Sequence, residues 1–448
     1  MSDAATAALK APPRVSGAVE QGGHLPEFEQ DYCAFISRAH AECGELAEFD
    51  FGGQETILMS GPDAQEVFFR TPDEVFSQAQ AYQVMVPVFG PGVIFDATPE
   101  RCKTQLKIQV DALRYQKMKN YAPVIAGEVE AWIADWGDEG EVELLHAFHE
   151  LTMHTATHCL LGEEFRHSMT EEFFSLYKDL QAGVQAISFV DPYMQQPLFA
   201  ARDKARERLE EIVGELVAER RASGKTYTDA LETFMTGTYD DGSHLSDTEI
   251  TGLIIATMFA GHHTSSGAGA ETLLEIAKHP QYGAELVAEL DEIYRDGAEI
   301  SHASMRAIPR LERFINEVLR LHPPLVVLMR RVMEDVEYNG YLIEKGKTVA
   351  VSIYESHINP DYFPDPLTFN PHRDEPEHLF AYIPFGGGRH KCAGNAFALL
   401  QLKAIFSALL RRYEFELVGS AEDYEDERAN MTIRPKDPCI LRYRRRDG

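Results

Sequence analysis

None of the six cysteines in this 448-residue chain (Cys33, Cys43, Cys102, Cys159, Cys392 and Cys439) stands in a C-x-x-C pair. Their wide spacing suits neither a zinc ribbon nor a disulfide scaffold, and scattered thiols in a chain of this length suit a reducing compartment. No stretch reaches the ~18 apolar residues that a membrane-spanning helix requires; the longest candidate, Leu253 to Ala260, runs into Gly261-His262-His263. The opening MSDAATAALKAPPRVSG lacks the apolar stretch of a signal peptide, so a cytoplasmic protein without a membrane anchor is expected. Positive charge is scarce: 42 basic against 72 acidic residues give a formal net charge of −30. Such a chain repels nucleic acid and anionic membrane surfaces on average, and no nucleic-acid partner is expected. The places to look for a local basic patch are Arg389-His390-Lys391 and Arg444-Arg445-Arg446. Internal repeats and long linkers are missing too.

What remains is ordinary globular material, 44% hydrophobic, enough for a large core. Residues 1–25, rich in Ala, Pro, Gly and Ser, read as a poorly ordered tail, and residues 26–448 as a single, mainly helical domain with a small β-rich part. The clearest helix starts at Ser246, where Ser246 and Glu249 fit a capping box. Ile250, Leu253, Ile254, Met258, Leu273, Leu274 and Ile276 continue it with helical spacing to His279-Pro280. Some thirty residues make it a central scaffold element. Glycine and hydroxyl residues around Gly261-His262-His263-Thr264-Ser265 predict a local distortion in its middle. A second helix begins at Pro309 and stops before His322-Pro323-Pro324. Asn339-Gly340 predicts a hairpin with a primed turn, and Lys347 to Ile353 a strand. A loop rich in Pro, Asp and His spans about 359–379, and a buried helix runs from about Asn395 to Arg412.

The most specific feature is Phe385-Gly386-Gly387-Gly388-Arg389-His390-Lys391-Cys392-Ala393-Gly394. Glycines let the backbone fold tightly and approach a flat ligand. A helix N-terminus and two neighbouring cations favour a thiolate at Cys392, and an axial thiolate on haem iron favours O–O cleavage. The bland alternative is a Gly-rich turn with a structural cysteine.

This loop resembles the haem-binding signature of the cytochrome P-450 superfamily, F-x-x-G-x-x-x-C-x-G. Two further family motifs stand in the expected order. Glu317-x-x-Arg320 lies on one face of the Pro309 helix; the resemblance implies a buried structural network with Arg373, although a solvated surface pair is commoner for such residues. Ala260-Gly261-His262-His263-Thr264 resembles the oxygen-activation segment. The resemblance implies that Gly261 makes room over the iron and that Thr264, with His263 where most of the superfamily has an acid, relays protons.

Gly-His-His-Thr is similar to the sterol 14α-demethylase branch, as are the segment Tyr82 to Asp96 and His322-Pro323-Pro324-Leu325-Val326-Val327-Leu328-Met329-Arg330. Similarity to bacterial members of that branch runs from about residue 20 to the C-terminus. By position, Tyr82, Lys103, Lys107, Arg330 and His390 hold the propionates of haem b, with Lys107 standing where bacterial relatives tend to have His. Tyr82, Val84, Met85, Phe89, Phe259, Ala260, Leu325, Val327 and Met431 line the substrate pocket, though apolar residues at such positions are core by default. Val84 departs from the branch, which has Phe or Leu there, and leaves extra volume near the sterol A-ring. Asp179 lies where a carboxylate partner for His263 is expected.

The resemblance implies oxidation of the 14α-methyl of a sterol precursor in three steps that release formate. Each step uses O2 and two electrons, drawn ultimately from NAD(P)H. No flavin or iron–sulfur motif appears, so electrons come through a separate ferredoxin and ferredoxin reductase. A small acidic ferredoxin would dock near Arg389, Lys391 and Lys403, and azole-type inhibitors would ligate the iron. Two other readings stay open: a related monooxygenase of another lipid (terpenoid, steroid or fatty acid), and a haem-thiolate sensor or carrier, which would not need Thr264. His154 and His158 are four apart, as in helix-borne metal sites, but lack the Glu of H-E-x-x-H; an ordinary helix face is the plainer reading.

Overall fold

The computed structural model describes residues 9–428 and 432–446. Its main sheet contains β1 (Leu46–Phe51), β2 (Gln54–Met59), β3 (Phe76–Ser77), β4 (Val327–Val332) and β5 (Thr348–Ser352). They lie in the order β1-β2-β5-β4-β3, with β2 and β5 parallel and the other pairs antiparallel. Ala350 is registered against both Leu58 and Met329. The Asn339-Gly340 hairpin forms between 336–338 and 341–343, with φ of 50° and 80° at its two turn residues, as a type I′ turn requires.

Six helices position the site: α1 (Pro62–Arg70), α2 (Pro99–Ala112), α3 (Leu144–Leu161), α4 (Asp247–Lys278), α5 (Pro309–Leu321) and α6 (Asn395–Leu409). The capping box of α4 is complete: Ser246 Oγ accepts from the Glu249 amide at 3.2 Å, and Glu249 Oε2 accepts from the Ser246 amide at 2.8 Å. This helix is buried over nearly its whole length. Gly269 allows α3 to lie directly against it, because a Cβ there would sit 2.4 Å from the Phe148 ring. The predicted distortion is not found; α4 runs through Gly261 to Ser266 without a break. Burial does fall away there, at Phe259, Ala260, Gly261, His263 and Thr264. A partly uncovered patch in the middle of a core helix leaves room beside Ala260 and Gly261.

Of the stretch 1–25 expected to be a loose tail, residues 1–8 lie outside the described residues, and residues 9–24 pair with the rest of the chain. Lys10 exchanges backbone hydrogen bonds with the hairpin, its amide donating to Gly340 O at 3.1 Å and its carbonyl accepting from the Leu342 amide at 2.8 Å. Val15 bonds Glu48 of β1 at 2.9 Å, and Val15 and His24 are buried. Backbone pairing with distant strands holds this segment, which its composition does not reveal.

Candidate functional site

The loop from Phe385 to Gly394 folds back against α1. Gly388 has φ of +63°, and a Cβ on it would lie 2.2 Å from the Phe69 carbonyl oxygen, so no other residue fits. The Cys392 amide donates to Phe385 O at 2.9 Å, and Asn395 Nδ2 donates to Cys392 O at 2.7 Å, which fixes the cysteine just before α6. Cys392 is the one exposed cysteine of the six. Packed protein on the rest of its surface still pushes the thiol pKa up, opposed by the Gly394 amide and the Lys391 charge. A metal cation would supply the missing stabilisation of the thiolate.

On α4, Ala260 is exposed and a Cβ at Gly261 would meet nothing within 4 Å. Thr264 Oγ1 donates to Ala260 O at 2.7 Å, which parks the hydroxyl on its own helix. Arg330, on β4, is only 4% exposed and has no carboxylate partner among the described residues. Its Nη1 donates to Met329 O at 2.7 Å, and its guanidinium lies 5.0 Å over the Phe68 ring. Burial lowers its pKa. Tyr82 lies close by: its hydroxyl accepts from the Met329 amide at 3.3 Å, and its ring stacks on Phe95 at 5.5 Å. A buried cation beside a phenol, which feels the charge of Asp73 but has no ion pair among the described residues, is what a carboxylate-bearing ligand completes. An accessible thiol, an open helix face and this cation together fit haem with its propionates.

The other propionate candidates sit differently. His390 Nε2 is 2.7 Å from Asp73, which also faces Arg389 at 3.9 Å; Asp73 was not singled out from sequence. Lys103 and Lys107 are exposed on α2 and have no ion-pair partner among the described residues.

Among the pocket candidates, Val84 and Phe89 are buried, Met85, Phe259 and Val327 partly so, and Leu325 is 46% exposed. Val84 is thus packed into the core at 2% exposure. Phe95, which sequence reading passed over, joins Tyr82 to Phe89, whose ring lies 6.0 Å away; Phe89 in turn meets Phe259 at 6.1 Å. Met431 lies outside the described residues.

His263 meets two imidazoles. Its ring centroid is 4.6 Å from His262 and 5.2 Å from His149 of α3. His262 Nε2 lies 3.0 Å from His149 O, and Ser266 Oγ lies 3.2 Å from His149 Nδ1. Burial lowers all three pKa values, to about 3 for His149, about 4 for His262 and well below the ordinary value for His263. His263 is thereby held as a neutral imidazole, and no ion pair joins it to Asp179 among the described residues. His149 lies 113 residues from His262, a pairing no local motif shows. His154 and His158 do not share a site: His158 Nδ1 is 2.7 Å from Glu128, and His154 packs on Phe174 at 5.6 Å.

Glu317 and Arg320 pair through two bonds of 2.8 Å in the core. Arg320 also donates to His357 O at 2.8 Å and Pro366 O at 2.6 Å. Arg373 Nε stands 3.4 Å from Glu317, whose Oε1 also accepts from the Asn370 amide at 2.9 Å. The network therefore ties α5 to the Pro-rich loop leading toward Cys392.

Comparison with known proteins agrees with this layout. The chain is 43% identical over 446 residues to a sterol 14alpha-demethylase of Mycobacterium tuberculosis, covering 97% of this chain and 98% of that one. It is 36% identical to an obtusifoliol 14-alpha demethylase of Triticum aestivum, covering 97% and 98%. A solved structure titled retinoic acid bound cyanobacterial CYP120A1 superposes with a TM-score of 0.89 at 25% identity, covering 98% of this chain and all of that one. The cytochrome P450 family model matches residues 13–442. A match of that extent, on a fold that brings an exposed cysteine and an open helix face into one protein, places this chain in the cytochrome P450 family as a monooxygenase.

Proposed function

We propose that this enzyme removes the 14α-methyl group of a sterol precursor, using haem b, O2 and electrons delivered from NAD(P)H by a ferredoxin reductase and a ferredoxin. The observation that carries this reading is its end-to-end similarity to proteins named for that activity. Haem supplies the activation of O2 and the oxidising power. Cys392 supplies the thiolate that holds it; Arg330 and Tyr82, joined by His390, Lys103 and Lys107, answer its propionates. Phe89, Phe259, Leu325 and Val327, with Met85, Met431 and Ala260, offer the apolar wall that a sterol skeleton requires. Tyr82 and Val84 complete that wall, and the smaller Val84 side chain leaves room near the sterol A-ring.

Thr264 Oγ1 stands on the partly uncovered face of α4, and release from Ala260 O would free it to donate toward the ligand side. His263 remains a neutral imidazole that passes a proton without holding a charge. Thr264→Ala should therefore keep haem in place while product formed per electron consumed falls roughly 10-fold, short of the ~100-fold of a full general-acid loss because water substitutes in part. Unchanged coupling would remove Thr264 from the relay.

Electrons would enter on the Cys392 face. A groove of about 460 Å³ lies there, with Leu113, Met118 and Ala393 in its wall and Arg114, Arg306 and Lys403 beside them. Lys391 and Arg389 extend the positive charge in a chain that is otherwise acidic, which suits an acidic ferredoxin. Lys403 contributes less than the other cations, since it is buried and bonded to Glu312 at 2.5 Å.

Spectral titration with lanosterol-type 14α-methyl sterols tests the substrate assignment. Displacement of the iron-bound water at micromolar sterol is expected, and azoles should compete. Tight binding of a terpenoid or fatty acid with no response to the sterols would favour the second reading, a monooxygenase of another lipid. The haem-carrier reading would predict binding without turnover.

A further inference from the structure

At the far end of α4, a cluster that plays no part in the haem site converges on a point. Glu271 of α4 is completely buried, and neither of its carboxylate oxygens has a hydrogen-bond partner. Its Oε2 lies 3.7 Å from Nδ1 of His322, which directly follows α5. The same nitrogen lies 3.2 Å from Oδ1 of Asp426, on the short strand Asp426–Glu427. His322 Nδ1 thus faces two carboxylates; against the opposing effect of burial, Glu271, Asp426 and Glu275 together raise the imidazole pKa to about 10, so a metal ion here would take the place of its proton. One donor atom from each of the three residues lies within 4.8 Å of the other two.

We propose that Glu271, His322 and Asp426 bind a divalent cation of the zinc class, with water in the fourth position. Tetrahedral Zn2+ with N and O ligands at ~2.0–2.2 Å spaces its donors about 3.3 Å apart, and the distances of 3.2 and 3.7 Å bracket that value. The surroundings are arranged as they are around metal-bound imidazoles. Glu275 Oε1 stands 3.6 Å from His322 Nε2, on the far edge of the ring, where a carboxylate orients a ligating histidine. Arg428 occupies the outer oxygen of Asp426 at 3.2 Å, leaving Oδ1 to face inward. Lys278 and His279 each lie 3.2 Å from Glu275. A buried carboxylate with two orphaned oxygens is costly, and a cation shared with His322 and Asp426 is a ligand that satisfies it. Such a site would tie α4, the end of α5 and the strand Asp426–Glu427 together at the opposite end of α4 from its capping box. The His149–His262–His263 trio is the poorer candidate, because His149 Nδ1 and His262 Nε2 are already committed to hydrogen-bonding partners and Arg434 lies nearby.

The test uses the haem-loaded enzyme, stripped of loosely held metal with EDTA and titrated with zinc. One zinc per chain by elemental analysis, a zinc-edge absorption spectrum with one imidazole among oxygen ligands, and a higher melting temperature with zinc are expected. Glu271→Gln and Asp426→Asn should each weaken binding by ~100-fold or more, with the haem spectrum as the check that each variant is folded. If one variant fails to load haem, the other and the wild-type absorption spectrum carry the test. Absence of stoichiometric zinc in the wild type, a shell of three imidazoles, or equal binding by the folded variants would overturn the proposal.

Discussion

Cys392→Ser is expected to cut turnover by at least ~1000-fold, a barrier increase of about 4 kcal/mol, and to abolish the thiolate-type Soret band of the reduced CO complex. A serine hydroxyl is not ionised near neutral pH and is a poor partner for a soft metal ligand set. No other thiol can take over. Burial drives the Cys33, Cys102, Cys159 and Cys439 thiols up, to about 11 for Cys102 and about 12 for Cys439, and Cys43 is raised as well. Only Cys392 combines exposure with a loop shaped to present it. The loop itself should survive, since its shape rests on backbone bonds and on Gly388 against Phe69. The variant is therefore expected to fold, and the CO spectrum separates loss of the ligand from loss of the protein.

Arg320→Leu should destabilise the enzyme by about 3–5 kcal/mol, the usual cost of orphaning the partner of a buried ion pair. Glu317 would be left charged at 5% exposure with Arg373 at 3.4 Å and the Asn370 amide as its remaining partners, and the carbonyls of His357 and Pro366 would lose their donor. That is a large part of the ~5–15 kcal/mol that holds a typical domain. Because Arg320 braces the loop leading to Cys392, haem should be lost together with the fold. Lys436→Ala, which breaks an exposed pair with Glu425, is the control and should leave the melting temperature unchanged. Melting followed at once by haem absorbance and by circular dichroism checks both; wild-type stability in Arg320→Leu would show that the network is dispensable.

Local signals in the sequence were faithful where local physics decides structure. The Ser246 cap, the stop at His279-Pro280, the Pro309 start and the Asn339-Gly340 turn all appear where their residues place them, because each rests on contacts within a few positions. Non-local contacts were invisible. Residues 9–24 read as loose because they are rich in Ala, Pro, Gly and Ser, whereas they are held by backbone bonds to Glu48 and to Gly340 and Leu342, the latter more than 300 residues away. The same limit explains Asp73, which captures His390 across 317 positions, and His149, which joins His262 and His263 from another helix. The distortion expected in α4 failed for a different reason. Weak helix formers there are held straight by dense packing on either side, and Thr264 satisfies its hydroxyl within the helix. Lys403 was read as a surface cation because charge alone was counted; on a helix that is apolar almost all round, it is buried against Glu312.

The central claim is that the thiolate loop and the open face of α4 serve demethylation of a sterol at C14. Product analysis after turnover with a reconstituted ferredoxin–reductase pair and a panel of 14α-methyl sterols addresses it most directly. The account predicts a 14-desmethyl sterol bearing a new double bond, with one formate released per sterol. A hydroxylated lipid as the only product, with the sterols returned intact, would contradict it.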